Sequence, residues 1–246
     1  MRRVDDTGFG NIQVIQNKGF GYGVDAVLLA AFAAGETGAR GIPQGSRVAD
    51  LGTDCGIVAF ILTHKVADTH VTGIEKREDA ADRAREAASM NGLSNRVSII
   101  TADVADLAET AGLNGGFDAV VSNPPYFRRN AAIPSSSGDR YIARHETTAG
   151  IGDFARTAAA LLKDGGSFYL VHRPDRLADI FSALRDAGLE PKEMQPVVPS
   201  EGQAANIILI HAVKGAGPEL KMMPQIAVHT QDGRYTDDIM RIYERQ

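Results

Sequence analysis

Arg47-Val48-Ala49-Asp50-Leu51-Gly52-Thr53-Asp54-Cys55-Gly56-Ile57 is the stretch that decides the fold. Arg47–Leu51 reads as a short buried strand and Ile57–Lys65 as a helix, so the glycine-bearing residues between them form a strand-to-helix turn. Glycines at 52 and 56 let the backbone pass close to a ligand, and the helix N-terminus beyond them offers free N–H groups. A small ligand with a polar end suits this loop. A dinucleotide is disfavoured, because the G-x-G-x-x-G spacing is absent.

Outward from that turn, strand and helix patterns alternate. His70–Glu75 is a second strand, followed by a helix over Glu78–Met90 with Ala80, Ala84, Ala87 and Ala88 at helical spacing and Asn91-Gly92 as its C-cap. Arg96–Thr101 is a third strand and Phe117–Ser122 a fourth. Ile151–Leu162 is a helix ended by Lys163-Asp164-Gly165-Gly166, and Ser167–His172 is a fifth strand. Pro174 opens a helix over Asp175–Ala187, closed by Gly188. Met194–Val198 and Ala205–Val213, separated by Pro199-Ser200-Glu201-Gly202, read as an antiparallel pair. This order predicts an α/β fold: a mostly parallel seven-stranded sheet with an antiparallel C-terminal strand and helices on both faces.

The flanks are simpler. Residues 8–24 are glycine-rich and alternating, which suggests a short hairpin or ordered loop, and Asp25 reads as the N-cap of a helix over Ala26–Ala34. Gly35–Gly45 is a linker. After the core come a Pro/Gly stretch, an apolar run Gln225–His229 and a helix near Thr236–Tyr243. The expected division is a hairpin-and-helix unit over 1–46, a main domain over 47–213 and an extension over 214–246.

The 246 residues suffice for one large domain that buries roughly 70–75% of its unfolded surface. Net charge of −5 argues against a protein that coats nucleic acid non-specifically, while leaving a local basic patch free to bind it. One cysteine, Cys55, excludes a disulfide framework and a cysteine zinc site, and fits a reducing compartment. No metal site is expected. The N-terminus lacks the apolar stretch of a signal peptide, and the longest apolar run, Ala26–Ala34, is far short of the ~20 residues that span a bilayer. A cytoplasmic protein without a membrane partner is expected.

Chemistry gathers at the strand ends. Glu75 closes the second strand at the place and spacing suited to ribose hydroxyls. Asp103 follows the third strand, where it could accept from an adenine amino group, with Val104 beside the ring. The fourth strand runs into Ser122-Asn123-Pro124-Pro125-Tyr126. Paired prolines have no N–H and fixed φ, and they hold the preceding residue extended, so this is a rigid loop with outward carbonyls. Such a loop, ending in an aromatic, suits a flat group that bears an amine.

Asp-Leu-Gly-x-x-x-Gly, Glu75 and Ser-Asn-Pro-Pro-Tyr, in this order, resemble the Rossmann-like class I S-adenosylmethionine-dependent methyltransferases, and the last motif resembles those that methylate exocyclic or amide nitrogens. Gln16–Leu29 and Ala143-Arg144-His145-Glu146 are similar to the bacterial tRNA1(Val) adenine-37 N6-methyltransferase family. That resemblance implies S-adenosylmethionine as cofactor, tRNA as partner, and a cofactor set of Asp25, Asp50, Gly52, Asp54, Gly56, Glu75, Asp103 and Val104. It assigns the Asn123 side-chain carbonyl and the Pro124 backbone carbonyl to the substrate amine, and the Tyr126 ring to base stacking. Phe127, Arg128, Arg129 and Arg144 are candidate substrate contacts, with Arg140 in the same basic stretch and His145 as a structural or substrate contact. Where the family has its middle glycine, this chain has Asp54.

Two other readings stay open on the residues alone. A protein glutamine-N5 methyltransferase acting on a release factor would present an amide NH2 to the same loop, although such enzymes carry a helical N-terminal domain. A cofactor-binding module without catalysis is the other, motivated by Asp54. There is no DNA-specific signal, and the oligomeric state and tRNA species are not legible.

Overall fold

The computed structural model describes residues 2–17, 21–108, 113–126 and 149–245. Phe127, Arg128, Arg129, Arg140, Arg144 and His145 lie outside the described residues, as do residues 18–20 of the N-terminal motif.

The core strands are β3 (Arg47–Leu51), β4 (His70–Glu75), β5 (Val97–Thr101), β6 (Phe117–Ser122), β7 (Leu162–His172), β8 (Leu189–Ser200) and β9 (Ile207–Lys214). They lie in the order β8-β9-β7-β6-β3-β4-β5. β9 runs antiparallel to both neighbours, and the β7-β6-β3-β4-β5 ladder is parallel throughout. The seven-stranded mixed sheet is therefore as expected. Two short strands join its outer edge: β10 (Lys221–Met222) and β11 (Ile226–His229) both pair with β8.

Period-two alternation fills both faces. Val48, Ala119, Val121, Tyr169, Val171 and Leu209 point to one side, where α1 (Val24–Ala33), α2 (Ile57–Lys65) and α3 (Glu78–Met90) pack. Ala49, Leu51, Val120, Phe168, Leu170 and Ile210 point to the other, under α4 (Val104–Leu107), α5 (Ile151–Leu161) and α6 (Leu177–Asp186). α1 is apolar on all sides, and every residue from Ala26 to Ala33 is buried. α3 instead shows an alanine stripe to the sheet and charge to solvent. Among the described residues no helix is long and apolar enough to cross a membrane.

Several boundaries depart from the sequence reading. The N-terminal hairpin pairs β1 (Arg2–Asp6) with β2 (Gln13–Asn17), so its first strand is the charged N-terminus rather than part of 8–24. Arg2-Arg3-Val4-Asp5-Asp6 has no apolar period to reveal it, because this strand faces solvent. Helix α1 begins before Asp25: its N-cap is Gly23, and the Asp25 side chain serves elsewhere. β7 starts at Leu162, ahead of Ser167, because Leu162 pairs with Phe117 across an irregularity in register. β8 extends beyond Met194–Val198 despite Pro191, Pro196 and Pro199; β10 pairs at Glu193 and Met194, and β11 at Val197, Val198 and Ser200, positions that the prolines leave clear. The final helix, α7 (Asp237–Ile242), is capped by Thr236, whose Oγ accepts from Ile239 N.

Candidate active site

Strand register brings the predicted site residues to one edge. Leu51 pairs with Ile74 on β4 and with Ser122 on β6, and Glu75 pairs with Thr101 on β5. The glycine loop, Glu75, Asp103 and Asn123 thus leave the carboxyl ends of adjacent strands, where β3 has β4 on one side and β6 on the other. Ligands of open α/β sheets sit at such a switch point.

Within the loop, Gly52 (φ +75°) and Gly56 (φ +83°) take left-handed conformations. A Cβ on Gly56 would stand 2.8 Å from the Phe60 ring, so that position needs glycine on two counts. Asp54 also has positive φ, +45°, which aspartate tolerates better than most residues. Its carboxylate pairs with the Arg77 guanidinium at 2.7 Å, both side chains well exposed. Glu75 Oε2 accepts from Asp54 N at 3.1 Å, and Oε1 accepts from Arg77 N at 2.9 Å. Oε2 keeps lone-pair capacity for a ligand hydroxyl.

Asp50 is enclosed below, and Thr53 Oγ donates to its Oδ2 at 2.6 Å. Burial raises its pKa to about 7, the Thr53 hydrogen bond opposes this, and the Glu75 charge adds to the rise. Burial, then the Asp54 charge, pushes the Cys55 thiol up to about 12, so it stays protonated and unreactive. Asp103 caps α4 by accepting from Ala105 N and pairs with Lys76 Nζ at 2.6 Å. Burial alone would raise it, but Lys76 and Ala105 outweigh burial and hold it below the usual carboxylate range. Val104 is buried beneath, its carbonyl accepting from Thr157 Oγ.

The acceptor loop starts from a pinned point, since Ser122 Oγ donates to Leu51 O at 2.9 Å. Pro124 is buried and Pro125 exposed. The Tyr126 hydroxyl oxygen lies 2.7 Å from Asp25 Oδ2 and 2.7 Å from Asn123 Oδ1. Burial, then Asp25, raises the Tyr126 pKa strongly, so the phenol stays protonated. Its ring meets His172 edge-on, with centroids 5.0 Å apart at 64°. His172 Nδ1 accepts from Arg173 N at 2.8 Å, and burial holds the imidazole below its usual range, so it is neutral at pH 7.

The sequence reading missed Lys76, Arg77 and His172. Their only signal is position: all three lie at or just past the carboxyl ends of core strands, as do Glu75 and Asn123.

These observations fit S-adenosylmethionine, with a glycine cradle at 52 and 56 for its polar end and the buried Glu75 carboxylate for hydroxyls. The family model described as methyltransferase small domain matches residues 25–186. The chain belongs to the methyltransferase small-domain family. Its cofactor is accordingly S-adenosylmethionine. Among curated relatives, a Porphyromonas gingivalis protein named tRNA1(Val) (adenine(37)-N6)-methyltransferase is 37% identical over 159 residues, covering 64% of this chain and 60% of that protein. A relative of the same name from Aeromonas hydrophila is 30% identical over 222 residues, covering 89% of this chain and 87% of its own. The match thus spans somewhat under two thirds of the Porphyromonas relative and most of the Aeromonas one. A solved structure of a predicted O-methyltransferase from Agrobacterium tumefaciens superposes with a TM-score of 0.71 at 25% identity, covering 89% of this methyltransferase small-domain chain and 95% of the other.

Proposed function

We propose that this methyltransferase acts on tRNA in the cytoplasm, transferring a methyl group to the exocyclic N6 of an adenine in the anticodon-loop region of tRNA1(Val). The observation that carries this is the Asn123-Pro124-Pro125-Tyr126 loop beside the glycine loop, and the names of the relatives support it. Residues 47–213 form the catalytic unit, with 1–46 and 214–246 as flanking additions.

S-adenosylmethionine supplies an electrophilic methyl group when bound; Gly52, Gly56, Glu75, Asp103 and Val104 would hold it, with Asp50 and Asp54 around the polar end, while the Asp25 carboxylate expected there is engaged by Tyr126 and Ala26 N. Adenine N6 is a poor nucleophile because its lone pair is delocalised into the ring. The Asn123 side-chain oxygen and the Pro124 carbonyl accept from its two N–H groups, which favours a more tetrahedral nitrogen and offsets the positive charge that develops. The Tyr126 ring stacks on the base, with Phe127 extending that face and Arg128, Arg129 and Arg144 contacting phosphates. No general base is assigned, since the methylated ammonium loses a proton to water.

This loop offers acceptors and no base, which favours an amine over the hydroxyl that the Agrobacterium structure's name implies. A non-catalytic module is disfavoured because the Asp54 carboxylate is already paired with Arg77.

The test is incubation of purified protein with labelled S-adenosylmethionine and total tRNA from a strain lacking the modification. N6-methyladenosine is the expected product. Absence of label transfer by protein that binds cofactor would overturn the proposal, and label on a release factor would support the glutamine reading. Asn123→Ala is expected to lower kcat by at least ~100-fold with cofactor affinity kept.

A further inference from the structure

A phenol has one proton, yet the Tyr126 hydroxyl lies 2.7 Å from two acceptor atoms at once, Asp25 Oδ2 and the Asn123 carboxamide atom placed as Oδ1. Asp25 offers only acceptors and carries the charge, so the phenol proton goes to it. The Tyr126 oxygen is then left as an acceptor. The two ends of a carboxamide occupy the same space, and proton count decides which one meets the phenol: Oδ1 as placed would leave two acceptors facing each other, so the ends are exchanged and the Nδ2 donor meets Tyr126. The Asn123 oxygen is therefore turned the opposite way.

We propose that Asp25 is a positioning residue for methyl transfer, acting through Tyr126 to lock the Asn123 carboxamide with its oxygen toward the incoming amine. This rests on the reading of Asn123 as amine acceptor. It gives Asp25 a task distinct from helix capping and from cofactor contact. It also gives the site a polarity: a locked oxygen accepts from an NH2 group and repels a carbonyl, so adenine is admitted where a 6-oxopurine edge is not.

Three features support the lock. Gly23 has φ −92°, which any residue adopts, yet a Cβ there would stand 2.4 Å from Asp25 Oδ1; the glycine makes room for the folded-back carboxylate. Ala26 N donates to Asp25 Oδ1 at 3.0 Å, which leaves Oδ2 for Tyr126. His172, neutral and fixed by Arg173 N, holds the Tyr126 ring edge-on. Meanwhile Pro124 holds Asn123 extended but does not choose between its two amide orientations, because the terminal torsion is broad and two-fold.

Asp25→Asn gives a sharp test because it reverses the relay. Ala26 N would keep the new amide oxygen, so the new NH2 would face Tyr126 and donate to it. The phenol proton would then go to Asn123 and turn its donor end toward the substrate. With the full chain and tRNA, D25N is expected to lower kcat by about 30-fold or more, with the Kd for S-adenosylmethionine kept within about twofold. Y126F removes the relay without reversing it and is expected to cost only about fivefold. The double variant D25N/Y126F should recover to the Y126F rate.

Losses that multiply in the double variant, a D25N rate near wild type, or a D25N defect confined to cofactor Kd would each overturn the proposal. Wild-type turnover separately judges the adenine reading. The relay has its own readout: in 15N-asparagine-labelled protein the Asn123 side-chain NH2 resonance, assigned by its loss in Asn123→Ala, should move in Y126F and in D25N. A resonance unmoved in both would overturn the lock whatever the substrate is.

Discussion

Asp50 lies beneath the glycine loop with 1% of its surface exposed, and its pKa stands at about 7, chiefly through burial. An ordinary aspartate titrates near 3.8. Between these values the folded chain holds a proton that the unfolded chain has released. The resulting stabilisation is complete below the lower value and lost as pH rises through about 7; the shift of ~3 units corresponds to about 4 kcal/mol at most. The Tm of the apo protein is thus expected to fall between about pH 5 and pH 8 more steeply than that of Asp50→Asn, whose amide does not titrate; thermal scans with parallel slopes would contradict this. Gly56→Ala forces a methyl group into a left-handed position against the Phe60 ring, and should cost about 2 kcal/mol or more in urea unfolding. Gly52, Gly56, Asp50 and Glu75 are legible in sequence because one strand-turn-helix pattern places them by local spacing. The Asp25–Tyr126 bond is not, since its partners are 101 positions apart and Asp25 sits where a helix cap is also plausible. His172 escaped for a related reason: only the assembled sheet sets it against Tyr126.

At the level of elements, α2 is tied to the C-terminus by its last turn. Lys65 Nζ, almost wholly enclosed, bonds Glu36, Glu244 and the carbonyl of Ile242. Lys65→Ala leaves these acceptors unmatched; because both glutamates are about one third exposed, solvent limits the cost to about 1–2 kcal/mol. Chemical denaturation measures that loss, and faster amide exchange in α7 should accompany it. Regular elements were legible wherever an apolar period exists, as in α3 and the core strands. Two of the departures have opposite causes: β1 is charged and exposed, whereas β8 carries prolines that normally mark a turn.

For the whole molecule, parallel order and the antiparallel closing strand follow from the alternation of patterns, since crossovers place helices on both faces of a sheet. The added strands β10 and β11 did not, because two to four residues carry too little pattern. Charge sets another whole-molecule property. On the proposed tRNA reading, a chain with a net charge of −5 engages only a few phosphates, so the slope of log K against log salt should be shallow, on the order of −2 to −4. Anisotropy titrations across salt concentrations measure it, and a slope near −10 would imply a far larger basic surface.

The bond from α2 to Glu244 has a consequence for how the chain is made. His64 and Glu244 are 180 residues apart. At a synthesis rate of roughly 5–20 residues per second, the last turn of α2 waits on the order of ten to forty seconds for its carboxylate to leave the ribosome. Until then Lys65 has only Glu36 to neutralise it, and Phe9 lacks the Tyr243 ring that packs against it at 5.9 Å. The β2 strand can dock on α3 through Gln13 and Asn91 well before then, so the hairpin turn at Phe9 completes its packing in a separate, later step.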